Sequence, residues 1–363
     1  MSSPHFHRLR VAQVQPEADD ALLLCFDVPE PLREAFRFQP GQHLTLRSDI
    51  AGQDVRRSYS ICAVPGEPLR VGVRCVSGGV FSGWLRDSLR AGDEVDVMPP
   101  QGSFGAALAV PSGRPRGGRH VLAIAGGSGI TPILSIIQSV LANEPASRVT
   151  LLYGNRSAAS TMFCGELDDL KNRWMARLAL HHVVSRESVD SPLHSGRLDQ
   201  AKLATLLRLC GAVHTVDEAF VCGPHAMNDE AEAVLLAAGW LPSQVHIERF
   251  GVPASAANAT LHLPQAGDAQ GAVIVIVRDG LTRSVRFESG DTSILAAAAR
   301  SGLDLPYACR SGVCATCRAT VLEGQVRMDR NFALEAAEVA TGQVLACQAH
   351  PLSERVVLSF DGR

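Results

Sequence analysis

Over roughly the first hundred residues, apolar and polar positions alternate in short runs: "RLRVAQVQ", "ALLLCFDV", "HLTLRS", "RRSYSIC", "LRVGVRCV" and "EVDVMPP". A period of two belongs to strands with one buried face, and the turn residues between the runs predict an antiparallel β-barrel. From His120 the pattern changes. Continuous apolar runs, "VLAIAG", "VTLLYGN", "LALHHVVS" and "AFVCGP", alternate with helix-like stretches such as "TPILSIIQSVLAN" and "AMNDEAEAVLLAAG". That alternation predicts an α/β domain with a doubly wound parallel sheet. After Phe250, "GVPASAANATLHLPQAGDAQG" is small and nearly uncharged, as a linker is. "AVIVIVRDG" and "RSVRFESG" then predict a hairpin, and "DTSILAAAARSG" a helix with an N-cap and a terminal glycine. The expected divisions are 1–112, 113–250, a linker at 251–270, and 271–363, with no internal repeat.

At 363 residues the chain exceeds one ordinary core, which agrees with several domains. A composition of 46% hydrophobic and 20% charged residues is that of a soluble globular protein. The net charge of -3 offers no basic footprint, which argues against nucleic acid as a partner. The uncharged run Val121 to Ala142 has the length of a membrane span, but "GGSGITP" interrupts it, so a strand, a glycine turn and a helix are expected and no membrane association. The stretch "MSSPHFHRLRVAQVQPE" has no apolar signal-peptide core, so a cytoplasmic location with reduced thiols is expected.

Ten cysteines in such a setting suggest metal more than disulfides. In "YACRSGVCATCRATVLEG", Cys309, Cys314 and Cys317 are spaced C-x4-C-x2-C, and Cys347 follows in "VLACQAHP". That is the plant-type ligand spacing for a [2Fe–2S] cluster. Four thiolates on two irons leave negative charge that needs N–H donors, and the backbone of Arg310, Ser311, Gly312, Val313, Ala315 and Thr316 can supply them. Zinc favours two C-x2-C knuckles and only one is present; reduced core thiols are the third reading. From about Ala272 to Arg363 the chain resembles plant-type ferredoxins, which implies an α+β β-grasp fold. Cys25, Cys62, Cys75, Cys164 and Cys210 show no ligand spacing and are expected to pack.

A ferredoxin domain needs an electron source. "RRSYSIC" holds Arg57, Ser58, Tyr59 and Ser60, an R-x-Y-S motif; in a strand, Arg57 and Tyr59 share one face and Ser60 the other. Arg57 suits a phosphate, Tyr59 a flavin ring, and Ser60 its N5 edge. Alone, four such residues are more often an ordinary exposed strand. "FQPGQH" precedes them, "SGGVFS" follows at a helix start suited to pyrophosphate, and "PPQGSF" closes the barrel. Together these motifs resemble the ferredoxin–NADP reductase superfamily. The resemblance implies a flavin, FAD rather than FMN, with Gly79, Val80, Phe81 and Ser82 lining its phosphate.

"IAGGSGITP" sets Gly126, Gly127 and Gly129 between a strand and a helix, freeing backbone N–H groups for a pyrophosphate. Thr131, with Pro132, is also simply a good helix start. Superfamily members share this "GGxGxTP" form. "YGNRS" places Arg156 and Ser157, and "VVSRE" places Ser185 and Arg186, at strand ends on one edge of the sheet. In NADP-dependent relatives a Ser-Arg there holds the 2′-phosphate, which implies NADPH; a solvated arginine is the other reading. "FVCGP" brings Cys222, Gly223 and Pro224 to a further strand end, where the family's cysteine lies beside the nicotinamide. A buried thiol alone is commonly structural. From "HIERF", the resemblance implies that Glu248 is a carboxylate near the hydride path and Phe250 an aromatic near the flavin, although a strand-ending phenylalanine is usually core. The catalytic set so implied is Ser60, Cys222 and Glu248.

Whole-chain similarity implies a reductase component of a multicomponent diiron monooxygenase, passing electrons from NADPH through FAD and [2Fe–2S] to oxygenase subunits, with docking near Arg310 to Val313. The same domain order serves steroid hydroxylases, Rieske oxygenases and hybrid-cluster proteins. A redox-sensing module without turnover is the alternative of another class, against which the intact motifs stand.

Overall fold

A computed structural model of the chain describes residues 5–109, 118–211, 215–253 and 265–361. The boundary expected near residue 112 and most of the linker fall outside them. The described chain forms two compact units, one built from His7–Val55 with Tyr59–Phe250, the other chiefly from Gly251–Arg363.

The first sheet contains β1 (His7–Ala18), β2 (Ala21–Asp27), β3 (His43–Ile50), β4 (Gln53–Ser60), β5 (Arg70–Arg74) and β6 (Glu94–Val97), in the order β4-β3-β6-β1-β2-β5. Just past β4, Ile61 bridges Val71, and the Cys62 N–H donates to the Arg70 carbonyl at 3.1 Å, which closes the sheet into the expected barrel. Leu9, Val11, Leu24, Leu44, Leu46, Val71 and Val73 fill its interior, while Arg8 and Arg10 between them stay outside. Helix α1 (Val80–Asp87) buries Phe81 and Leu85 in the same core.

The second sheet contains β7 (His120–Gly126), β8 (Arg148–Asn155), β9 (Leu178–Val184), β10 (Glu218–Gly223) and β11 (Val245–Arg249), parallel throughout and ordered β11-β10-β7-β8-β9. β7 is buried at every position because helices cover both faces. Helices α2 (Ile130–Asn143) and α3 (Cys164–Arg173) pack on the side of Ala123 and Tyr153, while α4 (Gln200–Leu209) and α5 (His225–Ala237) pack on the side of Leu122 and Ile124. Strand order reverses between β7 and β10. A crevice for ligands opens at such a switch point, beyond the carboxyl ends of the strands.

In the other unit, β12 (Val273–Arg278), β13 (Leu281–Arg286), β14 (Arg318–Glu323), β16 (Gln343–Leu345) and β18 (Arg355–Ser359) form a mixed sheet ordered β13-β12-β18-β14-β16. β15 (Val326–Met328) pairs with β17 (Ala349–Pro351) beside it. The helix Ile294–Arg300 packs on the sheet, its N-cap Ser293 accepting from the Ala296 N–H at 3.2 Å. This is the β-grasp arrangement. No helix among the described residues is long and apolar enough to cross a membrane.

Candidate active site

At the switch point the glycines of "AGGSG" are forced by proximity. A Cβ on Gly129 would lie 2.0 Å from the Cys222 carbonyl oxygen, and one on Gly126 would lie 2.6 Å from the Pro224 ring. Gly127 has φ +54, in the left-handed region. The turn therefore packs directly onto the end of β10, bringing Gly126, Gly127 and Gly129 beside Cys222, Gly223 and Pro224. Thr131 is buried and its hydroxyl donates to the Ser128 carbonyl at 3.0 Å, so its side chain closes the turn.

β10 and β11 place Cys222 and Glu248 side by side as register partners. From the end of β4, the buried Ser60 hydroxyl donates to the Glu248 carboxylate at 3.3 Å. Residue 248 as a whole is only half-buried, yet its carboxyl group is desolvated. Burial pushes this carboxyl up to about 8, against a lowering hydrogen bond from Ser60. Burial, with Glu248 adding to it, also raises the Cys222 thiol well above its ordinary range. The three expected catalytic groups thus converge, with a carboxyl that holds its proton at neutral pH. Phe250 lies just past β11 and is 45% exposed, so it is not a core residue.

Tyr59 is half-buried, its ring 6.1 Å from Phe81, while Arg57 is exposed and donates to the Arg56 carbonyl at 2.7 Å. Ser58, between them in sequence, is half-buried. At Gly79, the N-cap of α1, a Cβ would meet Ser82 Oγ at 2.6 Å, and no side chain caps the first turn. The amides of Val80, Phe81 and Ser82 therefore remain available to a phosphate. Phe81 can offer only its backbone, because its ring is core; the Ser82 hydroxyl accepts from the Val76 N–H at 3.2 Å.

Arg156 and Ser157 follow β8, and Ser185 and Arg186 follow β9, the next strand of the sheet. The Arg186 N–H donates to the Arg156 carbonyl at 2.8 Å, so the two arginines stand together on the predicted edge. Their surroundings differ. Arg156 is ion-paired at 2.5 Å with Asp20, whose other oxygen holds Arg74. Arg186 is exposed and makes no ion pair among the described residues. Ser157 bonds Ser160, and the Ser185 hydroxyl donates to the Asn155 carbonyl at 3.2 Å.

In the other unit, Cys309, Cys314, Cys317 and Cys347 are free thiols in one group. Hydrogen bonds from Cys314 and Cys347 hold Cys309 well below the usual thiol range, and Cys347 also bonds Cys317. The Ser311 amide donates to Cys309 Sγ at 3.4 Å, and Gln348 Nε2 approaches Cys347 Sγ at 3.5 Å. Gly312 has φ +81, and Arg310 and Ala315 also adopt left-handed φ of 53 and 51, so the loop is strained into its wrap around the thiols. Among the described residues, no three or more His, Cys, Asp or Glu are grouped around a single ion. A two-iron cluster takes two thiolates per iron and needs no such convergence. Four thiols, amide donors and a close glycine fit the cluster.

Comparison with known proteins follows this division. Residues 8–105 match the oxidoreductase FAD-binding domain family, 123–233 the oxidoreductase NAD-binding domain family, and 276–352 the 2Fe-2S iron-sulfur cluster binding domain family. A component of 1,2-phenylacetyl-CoA epoxidase from Escherichia coli is 46% identical over 99% of this chain and 98% of its own. The chain belongs to the FAD- and [2Fe–2S]-containing reductase components of oxygenases. The ferredoxin reductase component of 3-ketosteroid-9-alpha-monooxygenase from Mycolicibacterium smegmatis is 36% identical, covering 98% of both chains. Phthalate dioxygenase reductase shares the fold, with a TM-score of 0.57 at 23% identity over 98% of each chain. The reductase binds FAD, NAD(P)H and a [2Fe–2S] cluster. Sequence reasoning missed Asp20, Arg74, Asn228 and Gln348. Only Gln348 carried a signal, its position directly after Cys347.

Proposed function

We propose that the reductase draws electrons from NADPH and delivers them to the diiron oxygenase of a phenylacetyl-CoA epoxidase, in the cytoplasm. The observation supporting the chemistry is the meeting of Ser60, Glu248 and Cys222 at the crevice beside the glycine turn. When bound, FAD would supply a hydride acceptor and the cluster a one-electron carrier. The chain's own residues orient and exclude water. Gly126, Gly127, Gly129, Gly223 and Pro224 bring backbone close to the pyrophosphate; the first-turn amides of α1 take that of the flavin, helped by Arg57, with Ser58 in the same strand and Tyr59 packing on the ring. Ser60 faces the reacting edge, Glu248 holds a proton beside it, and Cys222 narrows the nicotinamide pocket. Arg186 with Ser185 takes the 2′-phosphate, Arg156 and Ser157 shape that end, and Thr131 closes the glycine turn. Cys309, Cys314, Cys317 and Cys347 hold the irons. The flavin domain then spans 1–112, the nucleotide domain 113–250 and the ferredoxin domain 271–363.

The partner rests on the end-to-end 46% identity with the epoxidase component. Reconstitution tests it. The holo-reductase, mixed with the oxygenase subunits of its own organism, NADPH, oxygen and phenylacetyl-CoA, should form the epoxide, and the reductase alone should leave the thioester unchanged. No epoxide from the active pair, together with turnover by another oxygenase of that organism, would reassign the partner.

A further inference from the structure

We propose that Asn228 is a positioning residue for Glu248: from α5 it holds the backbone of the strand end, so that the carboxyl group stays beside Cys222 and under the Ser60 hydroxyl. Asn228 is 0% exposed, and its Nδ2 donates to the Glu248 carbonyl at 3.2 Å. Its Oδ1 is buried without a hydrogen-bond partner among the described residues. An apolar side chain would avoid that cost, so packing alone does not explain an asparagine here.

The next strand residue is held by the same helix. Arg249 pairs with Asp229 at 2.9 Å and with Glu232 at 3.6 Å, and His225 bonds Asp229 at 2.9 Å. Positions 225, 228, 229 and 232 fall on one helical face. Successive strand residues point to opposite sides of a sheet, so Arg249 faces α5 and Glu248 faces the side of Ser60. The helix therefore holds residue 249 by its side chain and residue 248 by its main chain. The Glu248 carboxyl remains free for the crevice.

The proposal rests on the reading of Glu248 given above. Around that carboxyl, Cys222 from β10 is the titratable neighbour and Ser60 from β4 the hydrogen-bond donor; His225, Asp229, Glu232 and Arg249 lie on the opposite face. Burial lifts the group to about 8, so it is protonated at neutral pH in the native chain. Loosening the strand end lets water reach it, and its titration then falls toward the ordinary carboxyl range.

The experiment uses the FAD- and cluster-loaded full chain. Infrared spectra across pH follow the protonated-carboxyl band, assigned by its absence in Glu248→Gln, and rapid mixing follows flavin reduction by NADPH over the same range. In Asn228→Ala the band should vanish at least about one pH unit lower than in the parent, a tenfold change in proton affinity. The pH profile of flavin reduction should move with it. Arg249→Gln loosens the same strand end and should shift the midpoint in the same direction; it carries the test if Asn228→Ala does not retain flavin. A parent-like midpoint in a folded, flavin-loaded Asn228→Ala, or in Arg249→Gln where that variant carries the test, overturns the proposal. The underlying reading fails separately: if Glu248→Gln leaves flavin reduction and its pH profile unchanged, Glu248 has no part in the reaction, while the infrared midpoint still decides the role of Asn228.

Discussion

Two arginines stand at the sheet edge proposed to hold the nucleotide, and among the described residues Arg186 is the one without an ion pair. Arg156 already shares Asp20 with Arg74, whereas Arg186 has no carboxylate among the described residues. A charge-assisted contact to a phosphate contributes on the order of 1.5–3 kcal/mol, enough for about a tenfold or larger preference. Arg186→Ala should therefore lose kcat/KM for NADPH by that factor and keep it for NADH. Arg156→Ala should weaken both nucleotides, because it opens the Asp20 bridge. Equal losses for both nucleotides in Arg186→Ala would mark that residue as structural. The sequence made Arg156 and Ser185-Arg186 visible because each follows an apolar strand directly. It could not show Asp20, which lies 136 positions from Arg156 in a hairpin turn with no motif. The Ser60–Glu248 contact spans 188 positions, and the sequence named the two residues separately without pairing them.

At the scale of elements, the glycine turn decides whether the crevice exists. It is sandwiched between the end of β7 and the carbonyl of Cys222, with no room for a methyl group at Gly129. Gly129→Ala must push the turn off β10, an overpacking that destabilises by about 1–3 kcal/mol. Nucleotide affinity should fall by more than tenfold while FAD stays bound, since α1 and its amides lie in the barrel; calorimetric titration with NADP+ and the flavin spectrum check this. Unaltered nucleotide affinity in that variant would contradict the packing described. The elements themselves were legible. Alternation marked the barrel strands, and unbroken apolar runs marked the parallel ones. β11 was less so: its five residues, "VHIER", are all half-buried at the sheet's edge, so neither pattern develops. The glycine turn was legible as a phosphate loop, but its contact with Cys222 appears only when the strand order is known.

For the molecule as a whole, the four cysteines proposed as iron ligands lie in one compact unit, and Tyr59, Ser60, Cys222 and Glu248 lie in the other. Cys347→Ser should accordingly lose its iron while retaining flavin and NADPH-dependent flavin reduction. Normal iron content with an unchanged visible spectrum would remove Cys347 from the ligand set. The barrel and the parallel sheet could be read from where the hydrophobic period changes; of the third sheet only its first hairpin could, and the rest came through resemblance to plant-type ferredoxins. What that period does not encode is which buried thiols are ligands: Cys62 and Cys222 are as buried as Cys317 and Cys347, and spacing alone separated them.

Cys317 and Cys347 sit 2% exposed within the apolar core of the carboxy-terminal unit, among Ile274, Phe287 and Leu358. Filling those thiols is therefore expected to be coupled to closing that interior, so assembly of this half should depend on iron supply. Without the cluster a bound flavin would lack its exit, and molecular oxygen would be the acceptor at hand: reduced nicotinamide nucleotide, a proton and O2 would give the oxidised nucleotide and hydrogen peroxide. Cluster-free protein, or the Cys347→Ser variant, should produce peroxide in step with NADPH consumed, faster than the intact reductase working with its oxygenase. On that outcome, a copy without its cluster would be a source of oxidant rather than merely an idle protein.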